Sequence, residues 1–459
     1  MRFDVITIFP EFFSATTLSL LGKAVANGVL DIRAHNLRHW ASGTHLSVDD
    51  SPAGGGAGMV MRSDVWGKAL DAVLGQNWEA DGRDTENAAS GRSARPEGVV
   101  LAVPTPSGTP FTQRHAEYLA TKERIVLAPG RYEGIDARVV EHYRSRCEVF
   151  EFSLGDYVLN GGEVACVALI EAVGRLIEGV VGNPQSLVEE SHSSAGLLEY
   201  PVYTKPRSWR GLDIPAVLQS GDHAKVARWR QARALEKTAA RRPDMIGALD
   251  PAQLDKHARA VLAENGFAHV RGWGRVTFGV PTAASVAALA AQTFPDACPH
   301  HMSSETIAEF IQTELSEQNF QAALADPAQI VYGAYFEDEL VAYTWTVLPG
   351  ADQPNPDADM AAKTPLGTAY LSKCYAHRKV RSSGISGALL EKTVRLLDNA
   401  SYPVPAIALA TNTENKRARK FYRHHGFRNG GRRTFVIGDT KNYDTWMVRE
   451  LTDVKVRQM

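Results

Sequence analysis

The stretch GDYVLNGGE, residues 155–163, puts three glycines, an asparagine and two carboxylates into nine residues, directly ahead of a strongly apolar run. Glycine at that density marks backbone that must come close to something else. The spacing is not G-x-G-x-x-G, so a dinucleotide fingerprint is not the reading.

Working outward, residues 3–9 (FDVITIF), 98–103 (GVVLAV) and 124–128 (RIVLA) read as buried strands. Helical periodicity falls around 14–26, 63–74, 112–121 and 163–178. Strand-like runs alternating with helices predict an α/β fold on a parallel sheet. Residues 75–97 and 183–200 are polar and aperiodic and read as loops. A helical stretch follows to about 265, GFAHVRGWGR at 266–275 reads as a hinge, and a second α/β pattern runs from VTFGVP to a strand near 443–449. No internal repeat relates the two halves, so they are expected to be different folds.

The chain has 459 residues, enough for two or three domains, with 44% hydrophobic residues and a net charge of −2. Four cysteines (Cys147, Cys166, Cys298, Cys374) lie far apart without CxxC spacing, which fits free thiols in a reducing compartment. The N-terminus opens as a strand and not as a signal peptide, and no apolar run is long enough for a membrane span. A cytoplasmic protein with no membrane partner is the expectation.

Four glycine-bearing loops punctuate the first half: DDSPAGGGAGM (49–59), VPTPSG (103–108), PGRYEGID (129–136) and SLGDYVLNGGE (153–163). Any one alone is a tight turn. Together, GRYEGID and LGDYVLNGGE resemble the bacterial tRNA (guanine-N1)-methyltransferases. VDD-P-GGG-GM, GLLEYPVYTKP and LQSGDHAKVARWR extend the likeness over about residues 1–245 in family order. The resemblance implies a SPOUT trefoil knot whose crossings need residues without a Cβ, and a homodimer with shared active sites. It implies S-adenosylmethionine bound by Val103, Pro104, Pro106, Gly108, Gly130, Arg131, Tyr132, Glu133, Ser153, Leu154, Gly155, Tyr157, Leu159, Gly161 and Gly162. Methylation would fall on N1 of guanosine 37 beside the tRNA anticodon.

Guanine N1 holds a proton at neutral pH, so the reaction needs a base there and a cation near O6. The family's Asp base corresponds to Glu190 in EESH, one methylene longer, with Glu189 a less suitable substitute. Arg175 matches the family's active-site arginine, Glu199 a further acidic position, and Asp50 with Gly54, Gly55 and Gly56 the loop cradling the guanine. The family uses Mg2+, although no metal-ligand spacing is visible. Residues 201–245 carry ten Lys/Arg against four Asp/Glu, and Arg230, Arg233, Lys237 and Arg241 share one helical face, which suits RNA phosphates.

In the second half, KCYAHRKVRSSGISGALL (373–390) places Arg381, Gly384, Ser386 and Gly387 at a helix entrance suited to phosphate. ATNTENKRARKFYRHHGF (410–427) carries an Asn-x-x-Ala-x-x-Phe-Tyr-x-x-x-Gly-Phe pattern. Both resemble the GNAT-type N-acetyltransferases over about residues 275–450, with Ser386 replacing a smaller residue. This implies acetyl-CoA held by Cys374, Tyr375, Ala376, Arg381, Gly384, Gly387 and Asn415, a thiolate-protonating acid at Tyr422, and an unidentified amine as acceptor. The organisation expected is a knotted methyltransferase domain at 1–182, a catalytic loop at 183–200, a helical tRNA-binding domain at 201–265, a linker at 266–274 and a GNAT-like domain at 275–452. A ribose-methylating SPOUT enzyme, an RNA-binding scaffold, and a non-catalytic CoA-binding GNAT half are the alternatives.

Overall fold

The computed structural model describes residues 1–75, 98–182, 191–192, 196–298, 302–437 and 440–451. They form two compact units, 1–194 and 195–459. Glu189, Glu190 and most of the insertion at 75–97 lie outside the described residues.

In the first unit the strands are β1 (Arg2–Thr7), β2 (Asp31–Asn36), the short pair β3 (Asp49–Asp50) and β4 (Val60–Met61), β5 (Val99–Pro110), β6 (Arg124–Leu127) and β7 (Glu148–Ser153). The helices are α1 (Ser19–Ala26), α2 (Ser63–Leu74), α3 (Gln113–Ala120), α4 (Ala137–Arg144) and α5 (Glu163–Gly174). Five strands make one parallel sheet in the order β2-β1-β6-β5-β7. Strand alternation divides its core. Phe3 and Val5 face α1, α3 and α5, whereas Ile6 and Ile8 face α2 and α4. The expected helix at 14–26 is broken: a 3-10 turn (Pro10–Thr17) ends at Leu18, and Ser19, the first residue of α1, takes a positive φ of 54°.

Asp4 is buried within the sheet and accepts hydrogen bonds from Arg2 at 2.8 Å and Arg124 at 2.7 Å, with His35 Nε2 also at 2.7 Å. Burial alone would raise its carboxyl, but the bonds from His35, Arg2 and Arg124 hold it well below the ordinary carboxylate range.

In the second unit β8 (Ser208–Trp209) and β9 (Leu212–Asp213) form a small ribbon ahead of α6 (His223–Arg241), α7 (Pro243–Ile246) and α8 (Lys256–Glu264). Strands β10 (Phe267–His269), β11 (Trp273–Gly279), β12 (Gln329–Phe336), β13 (Glu339–Val347), β14 (Ala369–Ala376), β15 (Ala406–Asn412), β16 (Arg428–Ile437) and β17 (Thr440–Glu450) follow. Between them lie α9 (Ala283–Thr293), α10 (Ser304–Glu314), α11 (Glu317–Ala325), α12 (Ala358–Ala361), α13 (Ile385–Leu396) and α14 (Lys416–His424). The eight strands β10 to β17 join one sheet in the order β10-β11-β12-β13-β14-β15-β17-β16.

The stretch expected as a linker is therefore an antiparallel hairpin on the sheet edge, with Phe267 opposite Arg275 and His269 opposite Trp273. Its glycines read as a hinge, but Phe267 and Ala268 are buried and tie it down. Ala263 of α8 shares a core with Ala268, Val341, Ile385 and Leu389, so the helical segment and the sheet are packed as one body.

Helix α13 is held to α14 and β17 by Glu391, which accepts two hydrogen bonds from Arg449 (2.8 and 3.0 Å) and lies 3.0 Å from His425 Nδ1. Burial would raise the Glu391 carboxyl, but bonds from His425 and Arg449 outweigh it and hold it at about 2, below the ordinary 4.5. A depressed carboxylate stabilises the fold fully above its unfolded value and loses that contribution as pH falls. Acid titration of unfolding should thus show on the order of 3 kcal/mol lost between about pH 4.5 and 2. Glu391→Gln should flatten that limb, and an unchanged acid limb would contradict the assignment.

Candidate functional site

The four glycine loops meet at the C-terminal edge of the first unit's sheet. Segment 129–136 is the hub. Gly162 N–H donates to the Gly130 carbonyl at 2.9 Å, and Arg131 bridges Gly161. On its other side Met61 N–H donates to Gly134, Glu133 N–H to Met59, and Asp136 N–H to Met61. The 103–108 loop leaves and rejoins β7, since Pro104 and Thr109 both pair with Phe152.

These approaches leave no room for side chains. A Cβ on Gly108 would stand 2.6 Å from the Phe152 backbone, and one on Gly162 would stand 2.6 Å from Pro104 Cγ and 2.9 Å from Pro129 Cα. Val103 and Ser153 are buried beneath the loops. Pro104, Gly130, Arg131, Leu154, Gly155 and Gly161 are half-buried, while Pro106, Tyr132, Glu133, Tyr157 and Leu159 are exposed. Asp50 and the Gly54–Gly55–Gly56 turn are exposed too.

Glu163, not singled out in the sequence, organises the edge. It is 1% exposed, accepts from Thr7 Oγ1 and from Arg131 Nε, both at 2.9 Å, and so fixes the arginine. The Arg131 guanidinium lies 4.7 Å from the Phe9 ring centre and 5.7 Å from that of Phe12. Glycine backbone flanked by exposed Tyr132, Tyr157 and Leu159 fits an adenosine-bearing cofactor, offering both polar backbone and apolar faces.

Other predicted residues lie apart. Arg175 caps the far end of α5, roughly 18 Å along the helix from Glu163 at 1.5 Å per residue. In the second unit the basic face of α6 has partners of its own. Arg230 stacks over Tyr200 at 4.8 Å, Arg233 pairs with Glu236 at 2.6 Å, and Lys237 donates to the Glu199 carbonyl at 2.8 Å. Arg228 and Arg241 remain exposed on that helix. Among the described residues no three His, Cys, Asp or Glu side chains are placed to hold a metal ion.

The second unit has its own cleft. Strands β14 and β15 run parallel, yet pair only at Ala369–Ile407 and Tyr370–Ala408 before diverging. Cys374, Tyr375 and Ala376 stand on the diverging part of β14. Tyr422 of α14 is buried against Phe427 and hydrogen-bonded to Cys374. Burial first, then the neighbouring thiol, pushes its phenol well above 10, while burial lifts the Cys374 thiol to about 11.

Gly384 begins α13 with a φ of 92°, and a Cβ there would stand 2.3 Å from the Arg259 carbonyl of α8. Arg259 donates to the carbonyls of Leu254, Pro251 and Ser382. Gly387 lies under the His425 ring, 3.0 Å from where a Cβ would be. Arg381 pairs with Asp296 at 2.6 Å, and Asn415 caps α14 through Ala418 N–H at 3.0 Å. A glycine-bearing helix entrance beside a splayed strand pair fits a pyrophosphate with a pantetheine arm.

Residues 1–248 match the model of the family described as tRNA (Guanine-1)-methyltransferase TrmD. The chain belongs to that family. Residues 288–427 match the acetyltransferase (GNAT) family, so the methyltransferase region is followed by a GNAT-type domain. A tRNA (guanine-N(1)-)-methyltransferase of Kineococcus radiotolerans is 56% identical over 269 residues, which cover 58% of this chain and 92% of the relative. One from Renibacterium salmoninarum is 53% identical over 272 residues, covering 59% and 97%. Another from Salinispora tropica is 52% identical over 267 residues, covering 58% and 96%.

Because Gly162 is enclosed by Pro104 and Pro129, Gly162→Ala should destabilise this family member's loop edge by about 1–3 kcal/mol, as overpacking does. Retained binding of S-adenosylmethionine and an unchanged melting midpoint would show that the loops do not depend on this approach.

Proposed function

We propose that this chain methylates N1 of guanosine 37 in tRNA and that its GNAT-type half acetylates an amine. The meeting of all four glycine loops at one sheet edge, in a chain of this family, carries the first reading. S-adenosylmethionine, when bound, supplies an electrophilic methyl group. The loop residues from Val103 to Gly108, Gly130 to Glu133 and Ser153 to Gly162 would hold it, in crossings that we read as a trefoil knot. Glu190 takes the N1 proton, which turns the nitrogen into a nucleophile. Arg175 stabilises negative charge developing at O6. Asp50, the Gly54–Gly56 turn and Glu199 position the base, and exposed cations of the second unit follow the phosphates.

A homodimer accounts for Arg175. One helix length separates it from the loop edge of its own chain, and in this reading a second copy brings it to the reacting base. Exposed Val158 (80%), Tyr157 (55%) and Val164 (49%) supply an apolar border for such a contact. A cytoplasmic location follows from a tRNA substrate, and among the described residues no helix is long and apolar enough to cross a membrane.

In the second half, acetyl-CoA, when bound, supplies an activated acetyl group. Gly384, Gly387 and the first turn of α13 would hold its pyrophosphate, and Cys374 and Ala376 would line the pantetheine arm. Tyr422 keeps its proton far above neutral pH and gives it to the departing thiolate.

Glu190→Gln should bind S-adenosylmethionine normally and slow single-turnover methylation of tRNA transcript by roughly 2–5 kcal/mol of barrier. Turnover near that of wild type would remove Glu190 from the mechanism. Tyr422→Phe should keep acetyl-CoA affinity by calorimetry and lose CoA release across a panel of amines. Full CoA release by that variant would assign the proton to another group.

A further inference from the structure

Helix α14 carries a charge pattern that acetyl transfer leaves unused. Residues 416–433 hold eight Lys or Arg and no Asp or Glu. At 3.6 residues per turn, Arg419, Arg423, Lys416, Lys420, His424 and Arg417 fall in succession on one arc of about 160°. All but Arg419 are exposed. The opposite arc holds Ala418, Phe421 and Tyr422, packed into the core of the sheet.

The neighbouring cations are treated differently. Arg378 and Arg381 pair with Asp296, Lys379 with Glu339, Arg395 with Glu264, and Arg449 with Glu391. Among the described residues, no carboxylate pairs with Lys416, Arg417, Lys420 or Arg423. Like charges three and four residues apart repel, so the bare face destabilises its own helix unless an anion covers it. Arg417 lies near Arg381, Arg378 and the Asp296 that pairs with both, by the entrance of α13, where a cofactor pyrophosphate accounts for it. Lys420 and Arg423 stand one and two turns farther along, on a ridge longer than one pyrophosphate needs.

We propose that this exposed face of α14 is a phosphate-binding ridge for tRNA, so that the acetyltransferase half grips the RNA that the methyltransferase half modifies. The occupant follows from charge complementarity, because a polyanion satisfies several unpaired cations at once. The inference rests on tRNA being the substrate of this chain, and that reading is tested by binding of tRNA to the wild-type protein. The ridge is tested by the difference between wild type and variant.

Full-length Lys420→Glu/Arg423→Glu and the milder Lys420→Gln/Arg423→Gln should be titrated with unmodified tRNA transcript across a salt series. Loss of two phosphate contacts should lower the log–log salt slope by about 1.5 to 2 and weaken binding about tenfold or more. The KM for tRNA in methylation should rise with kcat retained, and acetyl-CoA affinity should stay at the wild-type value. Unchanged slope and affinity in both variants would overturn the proposal. So would loss of acetyl-CoA affinity with tRNA binding intact, which would give the face to the cofactor.

Discussion

Backbone packed on backbone is the constraint on which the first unit depends. At Gly108 the chain lies against the main chain of Phe152, and at Gly162 against Pro104 and Pro129. One added carbon at either place would have to displace backbone or a rigid ring, so the loops can meet only if both positions lack a side chain. Everything that defines the site follows from that meeting: the bridge between Arg131 and Gly161, the anchoring of 133–136 on 59–61, and the mouth bordered by Tyr132 and Tyr157.

A buried ion pair fixes the chemistry to this frame. Glu163 begins α5 at the end of the last glycine loop, and its carboxylate joins Thr7 at the end of β1 to Arg131 in the hub. Removing Arg131 would leave the Glu163 carboxylate buried without its cation, which costs far more than loss of a surface pair. The arginine is therefore held in one place while its guanidinium still lies over Phe9 and Phe12 at the surface. In the second unit Glu391 serves a similar end, tying α13 to β17 and to the end of the helix that carries Tyr422.

The likeness of the two halves stops at sheet architecture. The first unit relies on glycine loops that meet at the edge of a parallel sheet, whereas the second opens a parallel strand pair after two residues. Both place glycines where backbone lies close to other chain, at Gly162 in the first unit and Gly384 in the second. The second also fuses with the helical segment through Ala263, Ala268 and Gly384, so a disturbance of α8 reaches the entrance of α13 directly.

Much of this was legible in the amino-acid sequence because its signals are local. Alternation placed the strand at 3–9, the apolar period placed α2 at 63–74, and glycine spacing marked the loops and carried the family likeness. Edge strand β2 went unread because its residues are half-exposed or exposed on both faces and show no alternation. The hairpin at β10 reads as a linker in the sequence because glycine signals a turn without saying what packs beside it. Only tertiary structure decided the role of Glu163, the partners of Arg230, Arg233 and Lys237, and the distance of Arg175 from the loops. Those depend on contacts between residues far apart in the chain, such as Thr7 and Glu163. A one-dimensional pattern records which side chains can bond, and the fold alone determines which of them meet.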